Sequence, residues 1–336
     1  MALLEALELL GGQRLGRLDP ATLVREARDH GLSAVVAQAV EESAVRFPEP
    51  HQGALALDAL GSIASALKVK ALLLRVLDGF AKVGVVPVLL KGPCLSLRLF
   101  GDATVRATSD VDVLVAPDEV ERCAEVLQGM GLSIREDAVA FYPPRYHHDV
   151  AYAGPAGMVE LHYRAMSAFG QLVEAHVWRS RSVATTFDGR AARVLCPEDE
   201  LVYLALHAAN HLFQRLSWVY DLKLFLVRYP DLDWEHVLLA ARESGLPDQV
   251  FFALELARTQ VGASVPRAPL QALRPSWLRR AAGAWAYSSP KLSAAALHHD
   301  KRAWVIAKLL LADSRPRMAL FLGRRWLWNM RQKRPT

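Results

Sequence analysis

The spacing of apolar residues changes along the chain, and the first part has the spacing of helices. Residues 1–83 carry apolar side chains at three- and four-residue intervals, in a pattern that breaks at Gly31 and resumes over 57–82. Such spacing is typical of amphipathic helices, and Gly84 is a suitable stop for the last of them. We therefore predict an N-terminal helical region over 1–83.

The pattern of apolar residues changes after these helices, where short runs rich in β-branched residues begin. The segments 85–92 and 110–116 are rich in valine, which favours strands, and a short helix is expected between them. Two further runs, 147–154 and 157–165, flank a tight Gly-Pro-Ala-Gly connection and predict a hairpin. Residues 84–170 are thus predicted to form a compact mixed α/β core.

From Pro197 onward the apolar spacing is helical again. Three acidic residues follow this proline, where they complement the positive end of a helix dipole. We predict a helical domain over 171–336. Together, the three regions predict an α+β fold. A small mixed sheet is flanked by N-terminal helices and by a C-terminal helical bundle.

Composition permits a large core and leaves the kind of partner open. The chain has 336 residues, of which 52% are hydrophobic, enough for one large domain or two smaller ones. The net charge of +5 fits an anionic partner such as a nucleotide, a nucleic acid or an acidic membrane surface. An arginine-rich surface without such a partner fits equally well.

The basic C-terminal tail is the densest charged segment. It contains seven Arg or Lys and no acid after Asp313, with Trp326 and Trp328 among the arginines. Such a mixture can stack on RNA bases or seat at an acidic lipid or protein surface. It can also be a last helix that packs on the bundle with a solvated basic edge, which is the interpretation we favour.

The cysteines and the apolar stretches indicate the cellular compartment that we expect for the protein. Cys94, Cys123 and Cys196 are far apart and form no CxxC pair, so neither a zinc ribbon nor a disulfide framework is indicated. This favours a reducing, cytoplasmic compartment. The N-terminus lacks the basic segment of a signal peptide, and the apolar stretch 304–312 is too short for a transmembrane segment.

The strongest chemical signal is the run Ser-Asp-Val-Asp-Val-Leu-Val at 109–115. Side chains alternate along a strand, so Asp110 and Asp112 share one face and the valines point into the core. Two carboxylates this close repel each other unless a cation lies between them. Mg²⁺ suits the position because it binds few carboxylates and completes its shell with water and phosphate oxygens. The alternative is a pair of surface aspartates on an edge strand.

In its context this motif resembles the nucleotidyltransferase superfamily of DNA polymerase beta. Leu-Leu-Lys-Gly ends the preceding strand, Arg106 lies before the Asp-x-Asp strand, and Val-Glu-Leu-His follows on a later strand. The same series more closely resembles a large bacterial family of uncharacterised nucleotidyltransferase-like proteins. The run 207–226, with its His-x-x-x-His and its later Trp and Asp, resembles that family too.

The resemblance implies a role for each motif residue. Asp110, Asp112 and Glu160 would be the catalytic carboxylates and the ligands of Mg²⁺ or Mn²⁺. Gly92 would open the turn that approaches the triphosphate of a nucleoside triphosphate, with ATP as the expected donor. The following side chains are expected to contact the nucleotide: Lys91, Arg106, Ser109 and His162. For His162, orientation of Glu160 is the alternative, and Ser109 can instead cap its strand.

Two histidines in the C-terminal region have the spacing of a zinc helix. His207 and His211 lie at i and i+4, but the glutamate of an HExxH motif is absent. We expect them, with Asn210 and Asp221, to line the cleft that faces the α/β core or to close a buried polar network. An ordinary pair of core histidines is the simpler alternative.

The leading functional hypothesis is an enzyme that moves a nucleoside monophosphate from a nucleoside triphosphate to an acceptor and releases pyrophosphate. The sequence does not specify the acceptor, which can be a small molecule, a peptide or protein, or an RNA. The pair Gly92-Pro93 replaces the usual Gly-Ser or Gly-Gly turn and removes one amide. This leaves open a catalytically inactive interaction protein, and the positive charge leaves open an RNA-directed transferase or toxin.

Overall fold

A computed structural model of the protein describes residues 19–43, 46–135, 147–288 and 301–332. Helices surround one mixed β-sheet, and the predicted α+β class is confirmed. Three helices open the described chain: α1 (Pro20–Asp29), α2 (Ser33–Glu42) and α3 (His51–Lys82). The central region contains β1 (Val88–Leu89), α4 (Gly92–Phe100), β2 (Val111–Leu114), α5 (Val120–Gly129), β3 (Ser133–Ile134), β4 (Asp149–Gly154), β5 (Gly157–His162), β6 (Arg164–Ala168) and β7 (Gln171–Glu174).

A short helix and a hairpin then lead into the C-terminal helices. They are α6 (Ala175–Ser180), β8 (Val183–Phe187) and β9 (Arg190–Val194). The remaining helices are α7 (Pro197–Asn210), α8 (Leu216–Arg228), α9 (Trp234–Glu243), α10 (Pro247–Gln260), α11 (Arg267–Ala272), α12 (Trp277–Ser288), α13 (Lys301–Leu311) and α14 (Arg315–Gln332). Among the described helices, none is long and apolar enough to cross a membrane.

The main sheet has the strand order β3-β4-β5-β2-β1-β9-β8. Strand β2 lies at its centre, antiparallel to β1 and parallel to β5, while β1 is also parallel to β9. The predicted hairpin is present as β4 and β5, with Gly154 opposite Gly157 at the turn. Strands β6 and β7 form a separate two-stranded ribbon.

Strands β8 and β9 lie beyond residue 170, the predicted end of the α/β core, and they complete one edge of the main sheet. Their exposed faces carry threonine, alanine and arginine, so their apolar alternation is weak. The division of the chain into 1–83, 84–170 and 171–336 stays a prediction, with the sheet itself extending to Val194.

The C-terminal half of helix α3 packs on the face of β2 that carries the valines. Its residues Leu72, Val76 and Phe80 are buried in one apolar cluster with Val111 and Val113 of β2. Burial of each such side chain contributes about 1.5–3 kcal/mol. The valines of the Asp-x-Asp strand therefore anchor it, as the alternation predicted, and leave its aspartates on the other face.

Two buried ion pairs join the sheet region to the C-terminal helices. The guanidinium of Arg98 in α4 donates to both carboxylate oxygens of Glu200 in α7. Arg106, in the loop after α4, donates from Nε to Asp221 Oδ2 of α8 at 2.9 Å. Helices α7 and α8 are thereby held against the carboxyl side of α4 and the start of β2.

The basic tail forms helix α14. The side chains of Arg325, Trp326, Trp328 and Arg331 lie outside the described residues. The predicted binding roles of this segment therefore stay predictions.

Two glycines of α3 are expected to respond to alanine with opposite signs. At Gly79 a Cβ would lie 2.6 Å from Val126 Cγ1 of α5, whereas at exposed Gly61 nothing lies within 4 Å. Gly79→Ala should cost about 1–3 kcal/mol through overpacking. Gly61→Ala should add about 0.5–1 kcal/mol because alanine loses less backbone entropy in a helix. Urea unfolding of both variants checks this, and equal shifts in the same direction would contradict the packing of α3 on α5.

Candidate active site

The predicted carboxylates meet on one face of the sheet because β2 and β5 are parallel neighbours. Asp112 lies directly opposite Glu160 in the strand register, and Asp110 comes just before β2. All three carboxylates line one cleft of about 510 Å³ between the sheet, α3 and the start of α8. The structure also brings other predicted residues to this cleft: Lys91, Arg106, Ser109, His207 and His211.

Asp112 is buried and holds two cationic partners through one oxygen. Lys91 Nζ lies 3.1 Å from Asp112 Oδ1, and His162 Nε2 lies 3.2 Å from the same atom. Burial opposes ionisation of Asp112, but Lys91 and the hydrogen bond from His162 outweigh it and hold the pKa of Asp112 below its usual range. Burial likewise opposes the charge on Lys91, and the Asp112 carboxylate nevertheless raises the pKa of Lys91 above its usual range.

His162 lies behind the two strand carboxylates and contacts both of them. Besides Asp112, its Nε2 faces Glu160 Oε2 at 3.6 Å, and the ring is buried. Burial disfavours protonation, but the hydrogen bond to Asp112 and then the nearby Glu160 carboxylate raise the pKa of His162 to about 10. His162 is thus placed to orient both carboxylates, while its contact with a nucleotide stays a prediction.

Asp110 is in a different electrostatic position from Asp112. Within the described part of the chain, its carboxylate makes no ion pair. Burial and then the nearby Asp112 charge raise the pKa of Asp110 to about 6. The repulsion between Asp110 and Asp112 therefore disfavours the charged form of Asp110, because Lys91 and His162 both contact Asp112.

The donor set fits a divalent cation. Ligand atoms of Asp112, Glu160 and His162 lie within 4.8 Å of one another, and Asp110 is outside this group of three. Carboxylate oxygens are the ligands that Mg²⁺ and Mn²⁺ prefer. Of the predicted ligands, Asp112 and Glu160 lie close together, and the metal roles of Asp110, Asp112 and Glu160 all stay predictions.

A second group of ligand-type side chains lies outside the cleft. Ligand atoms of Cys196, Glu198 and His236 also lie within 4.8 Å of one another. However, Glu198 Oε1 accepts a hydrogen bond from the backbone N–H of Asp233 at 3.1 Å. Glu198 thus ties the start of α7 to the start of α9.

The phosphate side of the cleft is built around the turn between β1 and α4. Gly92 begins α4 with a φ of +66°, a conformation that side-chain-bearing residues rarely adopt. Lys91 lies directly before it, and Ser109 is exposed at the cleft. Arg106 lines the cleft while its Nε is engaged by Asp221, so it is a fixed positive charge. Phosphate contacts from these residues stay predictions.

Of the polar residues predicted in the C-terminal region, some line the cleft and others belong to buried polar contacts. His207 and His211 line the cleft, whereas Asp221 is buried against Arg106 and Asn210 Oδ1 accepts from Lys308 Nζ at 2.7 Å. The sequence analysis did not assign several other lining residues to the site: Ser62, Ser65, Ala107, Thr108, Gln214, Arg215 and Trp218. Trp218 is the Trp of the 207–226 run, so only its place in that resemblance could have indicated it.

An Asp-x-Asp strand, a carboxylate on its parallel neighbour and a lysine before the Gly92 turn are the features by which the sequence resembles nucleotidyltransferases. The family assignment agrees: residues 17–262 match the profile of a family described as uncharacterised nucleotidyltransferase, and the chain belongs to this family. A comparison with curated protein sequences gave no match.

Among solved structures, the chain is similar to two of the antibiotic-resistance factor ANT(2″)-Ia. One is the solution structure of the antibiotic-resistance factor ANT(2″)-Ia, with 13% identity and a TM-score of 0.37, covering 52% of this chain and 89% of that one. The other is the crystal structure of ANT(2″)-Ia in complex with adenylyl-2″-tobramycin, with 11% identity and a TM-score of 0.39. It covers 52% of this chain and 97% of that chain.

Proposed function

We propose that the protein is a Mg²⁺-dependent nucleotidyltransferase that transfers a nucleoside monophosphate from a nucleoside triphosphate, with ATP as the expected donor, to an acceptor hydroxyl. The observation that carries this proposal is the register of Asp112 against Glu160, with Asp110 and Lys91 in the same cleft. This places acidic oxygens for a cation beside a positive charge suited to phosphate.

The proposed step is an in-line substitution at the α-phosphorus of the donor. The acceptor oxygen forms a bond to that phosphorus, the bond to the bridging oxygen breaks, and pyrophosphate leaves with the electron pair. The acceptor proton would pass to a carboxylate, for which Glu160 is the candidate because its side chain is more exposed than that of Asp112. Bound Mg²⁺ would supply charge stabilisation at the phosphate oxygens, held by Asp112 and Glu160 with Asp110 nearby.

The chain's cationic side chains have complementary parts in this proposal. Lys91 would leave Asp112 for a donor phosphate, as a flexible point charge can. Arg106 would supply a second positive charge for the phosphates, with its orientation fixed by Asp221. Nothing in the described residues supports RNA over another acceptor, so the acceptor is defined here only by its hydroxyl.

Calorimetric titration with each of the four nucleoside triphosphates, with and without Mg²⁺, tests the proposal. The wild type should bind at least one of them in a Mg²⁺-dependent manner, and Asp110→Ala/Asp112→Ala should lose that binding. The matched control is Glu121→Ala/Glu125→Ala, which removes two exposed carboxylates from α5 and should bind as the wild type does. A folded wild type that binds no triphosphate, or binds equally without Mg²⁺, would overturn the proposal.

A further inference from the structure

One part of the cleft lining is aromatic. The ring centroid of Trp218 lies 5.1 Å from that of His207 and 4.9 Å from that of His211, and the two imidazoles are 4.8 Å apart. These separations are those of packed aromatic rings. We call these three residues the aromatic wall, and they are the ring-bearing side chains among the described residues that line the cleft.

The aromatic wall is neutral and has a cationic border. Burial, with Lys91 as the next cause, lowers the pKa of His207 well below its usual range. Burial and the neighbouring cations lower the pKa of His211 to about 3. The guanidinium of Arg215 lies 5.7 Å from the Trp218 ring, and α7 and α8 contribute no carboxylate to the cleft lining. A polycationic acceptor would be repelled here, whereas a flat aromatic group attached to phosphates would be attracted.

The wall also lies at the right place for one end of a nucleotide. His207 lines the same cleft as Lys91 and Asp112, so the wall and the carboxylate site belong to one cleft. A cleft of about 510 Å³ is of the size that holds a small-molecule ligand. The other lining side chains are charged, small or, as with Gln214, polar, and none of them carries an aromatic ring.

We infer that Trp218, His207 and His211 form the stacking site for the base of the donor nucleoside triphosphate. This inference rests on the proposed function, because it assigns one part of the donor to one wall of the same cleft. Stacking on rings tolerates every base, so the wall supplies affinity for a base rather than a choice among bases.

The test compares Mg²⁺-ATP with Mg²⁺-tripolyphosphate, which has the phosphates but no base. Calorimetry on the wild type should show ATP binding about ten- to a hundredfold more tightly, the range expected for one stacked base. Trp218→Ala should remove most of this difference and leave tripolyphosphate affinity unchanged. Trp218→Phe should keep most of it, and Trp277→Ala, which removes an exposed tryptophan outside the cleft, should match the wild type.

A second variant keeps the inference testable if Trp218→Ala fails to fold. His211 has the largest exposed fraction of the three wall residues, although its ring packs on those of His207 and Trp218. His211→Ala should therefore fold and weaken ATP about threefold or more without affecting tripolyphosphate. An unchanged ratio of ATP to tripolyphosphate affinity in these variants, or an equal loss of both ligands, would overturn the stacking site. Failure of the proposed function looks different, because the wild type would then bind neither ligand in a Mg²⁺-dependent manner.

Discussion

Asp112→Asn is expected to abolish nucleotidyl transfer and to destabilise the metal-free protein, whereas Asp110→Asn should abolish transfer without that loss of stability. Both changes remove a carboxylate from the proposed metal and phosphate site, so each should lower the transfer rate by about 10³-fold or more. The two variants are expected to differ in how far the lost carboxylate stabilised the folded protein.

The difference follows from the partners of the two side chains. Asp112 is 2% exposed and balances Lys91, whose side chain is 11% exposed. Removing one member of a buried ion pair leaves the other charge uncompensated and typically costs about 3–5 kcal/mol. Asp110 has no ion pair in the described part of the chain, and it lies beside the negative charge of Asp112. Asp110→Asn removes that repulsion and should leave stability unchanged or raise it by about 1 kcal/mol.

Urea unfolding in the presence of a chelator, compared with a pyrophosphate-release assay, separates these effects. The pattern expected is two inactive variants, of which only Asp112→Asn unfolds at lower urea. Excess Mg²⁺ should stabilise the wild type more than either variant, since a ligand stabilises only the state that binds it. Equal destabilisation by the two substitutions would show that the Lys91–Asp112 pair does not hold the site together.

The local chemistry of this site was predictable from the sequence, and the partnerships across the sheet were not. Alternation alone indicated that Asp110 and Asp112 share a face and that Val111 and Val113 are buried. The proximity of Glu160 depends on β5 lying parallel to β2, which no periodicity specifies. That part came from the resemblance to nucleotidyltransferases, and the strand register agrees with it.

Contacts between distant segments explain what the sequence analysis did not identify. The Lys91–Asp112 pair requires β1 to lie beside β2, which places Lys91, just after β1, next to the aspartate. The position of Trp218 depends on how α8 docks through Asp221 onto Arg106. Each of these is a choice among many compact arrangements of the same amphipathic elements, and side-chain packing rather than local propensity decides it.

Lys91→Met is expected to have opposite effects on metal binding and on catalysis. In the absence of nucleotide, Mn²⁺ should bind about tenfold more tightly or better, because a unit charge at about 4 Å acts with several kcal/mol near a protein surface. Lys91 Nζ lies 3.1 Å from Asp112 Oδ1 and occupies space beside an oxygen that the cation needs. Transfer should nevertheless fall by about 10²–10³-fold, since a positive charge at the phosphates is lost.

Mn²⁺ titration followed by electron paramagnetic resonance measures the first effect, and the pyrophosphate-release assay measures the second. Lys82→Met is the matched control, because it removes an exposed lysine at the end of α3 and should change neither quantity. Weaker Mn²⁺ binding by Lys91→Met would mean that the lysine organises the carboxylates instead of competing with the cation. Tighter binding with unchanged turnover would mean that Lys91 only balances Asp112, and the phosphate contact would then have to come from Arg106. Only tighter binding together with slower transfer fits a lysine that holds Asp112 before the donor arrives and a phosphate afterwards.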